Sequence, residues 1–77
     1  MSELAQGAAF TFTIAVNGEE RVSKAGDTVA DLLVALGLEN GRVAIERNLT
    51  ILPRADWATT RIAAGDRYEI VQFVGGG

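Results

Sequence analysis

The stretch "GDTVADLLVALG" constrains the fold most, because Val29, Leu32, Leu33 and Leu36 recur at spacings of three, one and three and line one face of a short helix. Thr28 is placed to cap its N-terminus, Asp27 and Asp31 lie near the positive end of the helix dipole, and Gly37 can end it. A helix of about nine residues is marginal alone in water, so its stability must come from laying that leucine stripe on another element. The rest of the chain offers strands, so that element is a sheet.

"FTFTIAVNGEERVS" opens with alternation, Phe10, Phe12, Ile14 and Val16 on one face and Thr11, Thr13 and Ala15 on the other, the pattern of a half-buried strand. Asn17-Gly18 can take the positive φ of a tight turn, which returns the chain through Glu20 to Ser23. A two-residue turn sets Val22 opposite Thr13, away from the apolar face, whereas a bulged turn with Gly18 left-handed sets it opposite Phe12. Burial favours the bulge.

Past "LENGR", residues 43–47 read as a strand, Asn48 turns the chain into the short apolar "TIL", and Pro53 ends it. "RADWATT" reads as a turn or single helical turn with Trp57 closing an end of the core, Ala64-Gly65-Asp66 as another turn, and "RYEIVQFV" as the last strand. One helix with four or five strands packs most compactly as an α+β domain, a mixed sheet with the helix across one face. The domain spans residues 10–74, between a small, polar and aperiodic N-terminal extension over 1–9 and a glycine tail over 75–77, both read as flexible. A tag remnant explains the extension equally well.

A chain of 77 residues buries only roughly 60% of the surface its unfolded form exposes, which leaves little room for a deep catalytic pocket. It contains neither Cys nor His, so no disulfide or zinc site supplements the core, and its 48% hydrophobic content must suffice. The same absence removes the side chain that titrates near neutrality and the usual soft nucleophile, which argues against an independent enzyme and against a metal site. Seven Lys plus Arg against ten Asp plus Glu leave a net charge of -3, with the cations spread singly, so no basic face for nucleic acid is indicated. No apolar run approaches the roughly 20 residues that span a bilayer, and "MSELAQGAAF" lacks the basic start and apolar core of a secretion signal, which points to a soluble, cytoplasmic protein.

In "EIVQFVGGG" the apolar strand gives way directly to Gly75, Gly76 and Gly77. An isolated glycine tail reads as a linker, but this one abuts a strand. Period two places Tyr68, Ile70 and Gln72 on one face of that strand and Glu69, Val71 and Phe73 on the other. Glu69 marks the second face as the outer one, so Val71 and Phe73 form an exposed apolar patch leading to the tail, suited to docking a partner. The competing reading has Phe73 covering an edge of the core. Leu32, Leu33 and Leu36 are core residues, and Arg47 and Arg54 either steer an acidic partner surface or, as single exposed charges usually do, solvate a face.

The "VNGE" hairpin, the "AGDTVADLL" helix start, "AIERNLTILPRADW", "AAGDRYEIVQFV" and the closing glycines, in that order, resemble the ThiS family, the ubiquitin-like sulfur carriers of thiamine biosynthesis, over residues 12–77. The resemblance implies a β-grasp fold and a C-terminal glycine carboxylate, here that of Gly77, adenylated by a ubiquitin-activating-type enzyme using ATP and magnesium. It further implies conversion to a thiocarboxylate with sulfur from a cysteine desulfurase or rhodanese-like donor, and delivery of that sulfur to thiazole synthase. On this reading the chain is a substrate rather than a catalyst and binds no cofactor itself, while Gly75 and Gly76 thread the tail into the partner. The small subunit of molybdopterin synthase shares fold, ending and sulfur chemistry, although "IERN" and "FVGGG" look more like the thiamine carrier. A protein modifier attached through its glycine end, and a plain interaction domain with an incidental tail, are the other readings; Lys24, the only lysine, argues against polymeric chains.

Overall fold

The computed structural model describes residues 10–73. The extension read over 1–9 and the glycine tail over 75–77 lie outside the described residues. In chain order the elements are β1 (Thr11–Val16), β2 (Glu19–Lys24), α1 (Val29–Ala35), β3 (Val43–Arg47), β4 (Thr50–Leu52), a 3-10 turn (Arg54–Asp56) and β5 (Arg67–Gln72). The strands form one sheet in the order β2-β1-β5-β3-β4, in which β1 and β5 run parallel and the other neighbours antiparallel. The mixed sheet with one helix across it is what the patterns predicted, and it is the β-grasp arrangement that the resemblance implied.

The core lies between α1 and one face of the sheet. Val29, Leu32 and Leu33 of the helix are buried with Ile14 of β1, Val43 and Ile45 of β3, and Tyr68 and Ile70 of β5, while Leu36 packs at the margin. Trp57 closes one end, 8% exposed, with its indole N–H donating to the Leu52 carbonyl at 3.0 Å. At seven residues α1 is shorter than the nine its apolar period suggests, and both ends are fastened. The Thr28 hydroxyl accepts from Asp31 N–H while the Asp31 carboxylate accepts from Thr28 N–H, a capping box. Val29 and Ala30 N–H donate to the carbonyls of Thr60 and Trp57, so the first turn has few orphan donors left. At the other end Gly37, at φ +76°, lets its own N–H reach the Val34 carbonyl and Leu38 N–H reach the Leu33 carbonyl.

The hairpin register differs from the expected bulge. Asn17 and Gly18 both have positive φ, 51° and 83°, and Val16 pairs with Glu19, so the turn has two residues and Val22 faces Thr13. Ser23 takes the buried place opposite Phe12, and Val22 stays 64% exposed. Leaving one valine on an edge strand forgoes about 1.5 kcal/mol of burial. The turn that matches the strand twist, together with a clamp made by the Asn17 side chain, outweighs it.

Candidate functional site

Of the docking and tail residues expected from the sequence, the described ones, Val71 and Phe73, lie at the end of β5, so what holds β5 and what it presents define the site. Tyr68 and Ile70 point into the core, 1% and 8% exposed, while Val71 and Phe73 are each 56% exposed. The inferred outer face is therefore the outer face. The ladders set Ala44 of β3 opposite Val71, Glu46 opposite Glu69, and Ile51 of β4 opposite Glu46. Ala44 and Ile51, the latter 71% exposed, thus extend the apolar patch beyond β5 across two neighbouring strands. A shallow groove of about 290 Å³ runs there, lined by Ala44, Ile45, Glu46, Ile51, Glu69 and Val71. Neither Ala44 nor Ile51 stood out as a site residue; alternation in "VAIER" turns Ala44 away from Val43 and Ile45, but only the strand order brings it beside Val71.

Glu46 and Glu69 face each other directly within this patch. Like charges at paired sheet positions are destabilising, by tenths of a kcal/mol to about 1 kcal/mol. An apolar surface carrying two adjacent carboxylates suits a partner that brings apolar side chains and a cation.

A polar knot fixes the start of β5. The Asp66 carboxylate, 5% exposed, accepts from Tyr68 O–H at 2.7 Å, Ala63 N–H at 2.9 Å, Asn48 Nδ2 at 3.0 Å and the Arg47 guanidinium at 3.0 Å. Burial alone pushes the Asp66 carboxyl upward, but the donors from Ala63, Asn48, Tyr68 and Arg47 outweigh it, and its pKa lies below the ordinary carboxylate value. Burial, and then the bond to Asp66, push the Tyr68 hydroxyl up to about 12. Arg47 is therefore not a free steering charge: it pairs with Asp66 and also reaches Tyr68 Oη and the Arg61 carbonyl. Arg54 lies over the Trp57 ring, 4.9 Å from its centroid, covering the end of the core. Arg47 is thus tied into the fold, whereas Arg54, stacked on Trp57, stays exposed.

At the other end of β5, the Asn17 carboxamide takes Ile70 N–H on Oδ1 at 2.7 Å and donates Nδ2 to the Ile70 carbonyl at 3.1 Å. Phe73 N–H donates to the Arg42 carbonyl at 2.8 Å on the opposite edge. The strand is thus held on the β1 side as far as Ile70 and on the β3 side as far as Phe73, the last described residue. Gly75, Gly76 and Gly77 lie outside the described residues.

The chain matches the ThiS family over residues 9–77. It is 38% identical over 63 residues to the sulfur carrier protein ThiS of Bacillus subtilis, covering 80% of this chain and 96% of that one. It is 47% identical over 64 residues to a thiazole synthase of Paramagnetospirillum magneticum and 38% identical over 64 to one of Magnetococcus marinus. The chain spans about a fifth of the length of these two relatives, since the matches cover 83% of this chain but 20% of each of them. A solved structure of the thiamine biosynthesis protein ThiS from Geobacter metallireducens superposes with a TM-score of 0.68 at 31% identity, covering 86% of this chain and all of that one. With its β-grasp sheet and a match that runs from ahead of β1 through the glycines, the chain belongs to the ThiS family.

Proposed function

We propose that this chain is a sulfur carrier of thiamine biosynthesis, a substrate rather than an enzyme, and that its reacting group is the α-carboxylate of Gly77. The ThiS match through residue 77 is the observation that carries this reading. A carboxylate is a poor acyl donor because resonance stabilises it and oxide is a very poor leaving group. Adenylation by a ubiquitin-activating-type enzyme, which supplies ATP and magnesium, installs AMP as the leaving group. The terminal sulfur of a persulfide on a cysteine desulfurase or rhodanese-like donor then attacks the carbonyl and AMP departs, leaving an acyl disulfide. A thiol reductant cleaves its S–S bond, which releases the thiocarboxylate and leaves a disulfide between donor and thiol. The catalytic groups for these steps belong to the partners.

Gly75 and Gly76 suit a tail that must enter another protein, since residues without a β-carbon let the backbone pass through a narrow channel, and three extended residues reach roughly 10 Å. Val71 and Phe73, with Ala44 and Ile51 beside Val71, supply the surface on which the partner docks, and Glu46 and Glu69 select one carrying a cation. The names of the two longer relatives support thiazole synthase, rather than a molybdopterin synthase, as the sulfur acceptor.

The test is to incubate the protein with the adenylating enzyme, ATP, magnesium, a sulfur donor and a thiol reductant and to follow its intact mass. The parent gains one sulfur in place of one oxygen, and Gly76→Val gains none at a comparable rate, because a branched side chain beside the reacting carbonyl narrows φ and ψ where the backbone must pass closely. A displacement of about 1 Å there can cost on the order of 100-fold in rate. A parent that gains no sulfur with any cognate enzyme overturns the proposal, and a stable adduct to other proteins instead assigns the chain as a modifier.

A further inference from the structure

We infer that Asn17 is a positioning residue for the C-terminal segment, its carboxamide standing in for a missing piece of strand and so fixing where the chain leaves the sheet. The register shows how. Along the parallel pairing of β1 with β5, Ala15 N–H donates to the Asp66 carbonyl at 2.9 Å and Asn17 N–H to the Tyr68 carbonyl at 2.8 Å. The next bonds of such a ladder would join Ile70 N–H to the main-chain carbonyl of residue 17, and the Ile70 carbonyl to an N–H two residues further along β1. Neither can form, because Asn17 at φ 51° turns the chain away into β2. The side chain supplies both groups instead, with Oδ1 2.7 Å from Ile70 N and Nδ2 3.1 Å from Ile70 O.

This arrangement asks more of residue 17 than the turn does. A two-residue turn with positive φ at both positions accepts Gly or Asp in place of Asn, but only the carboxamide offers one donor and one acceptor at the spacing of a peptide group. Ile70 stands three residues before Phe73, whose N–H is held from the other edge by the Arg42 carbonyl at 2.8 Å. Together the two contacts bracket the last turn of pleat before the tail. Without the Asn17 clamp β5 keeps its β3 pairing but loses the restraint at Ile70 on its other edge, so the direction in which β5 delivers Phe73 broadens. This role rests on the carrier reading; the clamp itself does not.

The test uses the full chain in three forms: the parent, Asn17→Gly, which preserves the turn and removes the carboxamide, and Thr28→Ala, which removes the helix cap and lowers stability without touching β5. Amide hydrogen exchange is read at Ile70, and thiocarboxylate formation with the adenylating enzyme is resolved into kcat and KM. Asn17→Gly should speed Ile70 exchange by about tenfold or more relative to Thr28→Ala, and lower kcat by about tenfold with KM within about twofold, because the docking face is intact while the reacting carbon is misplaced. Thr28→Ala should keep the parental kcat. Unchanged exchange at Ile70 refutes the clamp. Faster exchange with parental kcat, or an equal fall of kcat in both variants, refutes the positioning role while leaving the carrier reading standing. A parent that forms no thiocarboxylate refutes that reading, and the positioning role with it, while Ile70 exchange still judges the clamp.

Discussion

Replacing Asp66 with Ala should bring the domain close to unfolding, although the residue lies in a turn rather than in the apolar core. Its carboxylate is 5% exposed and gathers the donors of Tyr68, Ala63, Asn48 and Arg47. The Arg47 side chain retains 29% exposure, so water recovers part of what it loses. Tyr68 is 1% exposed, and its O–H would be left buried without its acceptor, at a cost of about 1 to 3 kcal/mol. Adding the lost bonds to a charged group, and the unpaired guanidinium, brings the total to about 3 to 5 kcal/mol. A domain of 77 residues has only about 4 to 11 kcal/mol to lose. The assay is urea unfolding followed by the fluorescence of Trp57, the single tryptophan. With a slope of about 1 kcal/mol per molar urea the midpoint falls by about 3 M or more. Asp66→Asn, which keeps one acceptor, should lose about half as much, and a cycle with Tyr68→Phe should give a coupling above about 1 kcal/mol. An Asp66→Ala loss below about 1 kcal/mol would refute the claim that this knot holds β5.

The same knot sets a pH dependence at both ends of the scale. Asp66 is more acidic in the fold than its ordinary value of 3.8, so its support is present above that pH and disappears as pH falls through its lower folded pKa. Tyr68 is raised from 10.0 to about 12, so its support is complete below pH 10 and is lost, by about 2 to 3 kcal/mol, as pH rises through 12; ultraviolet titration of this single tyrosine near 10 would contradict it. Leu49 sits at φ 73° and is 91% exposed, a left-handed position costing a residue with a β-carbon about 1 to 2 kcal/mol. Leu49→Gly should therefore gain about 0.5 kcal/mol after glycine's entropy is subtracted, raising Tm by about 2 to 4 °C; an unchanged or lower Tm counts against the strain. Val71→Asp and Phe73→Ser should stay folded by circular dichroism yet be adenylated more slowly, and adenylation at the parental rate would remove the docking face.

Elements whose energetics are local were legible in the amino-acid sequence. The apolar stripe of α1, its Thr28 cap, its Gly37 stop, residues 43–47 as a strand and the alternation that turns Val71 outward each depend on neighbours within a few positions, where period and capping chemistry act. The site was legible in part. Val71 and Phe73 could be placed on a face because strand period is local, whereas Ala44 and Ile51 entered the same surface through the order β5-β3-β4, which no local pattern encodes. The hairpin register departs from the expected bulge for a related reason. Burial of Val22 favours the bulge locally, but the competing interaction, Asn17 with Ile70, spans 53 positions. Arg47 looked like a solvating charge until Asp66, 19 positions away, met it across the fold. By itself, then, the sequence determined the elements, their inward and outward faces and the absence of Cys and His chemistry. Only the tertiary structure decided which polar side chains are partners, because a hydrogen bond depends on distance in space and a chain that reverses direction at each turn makes that distance independent of separation along it.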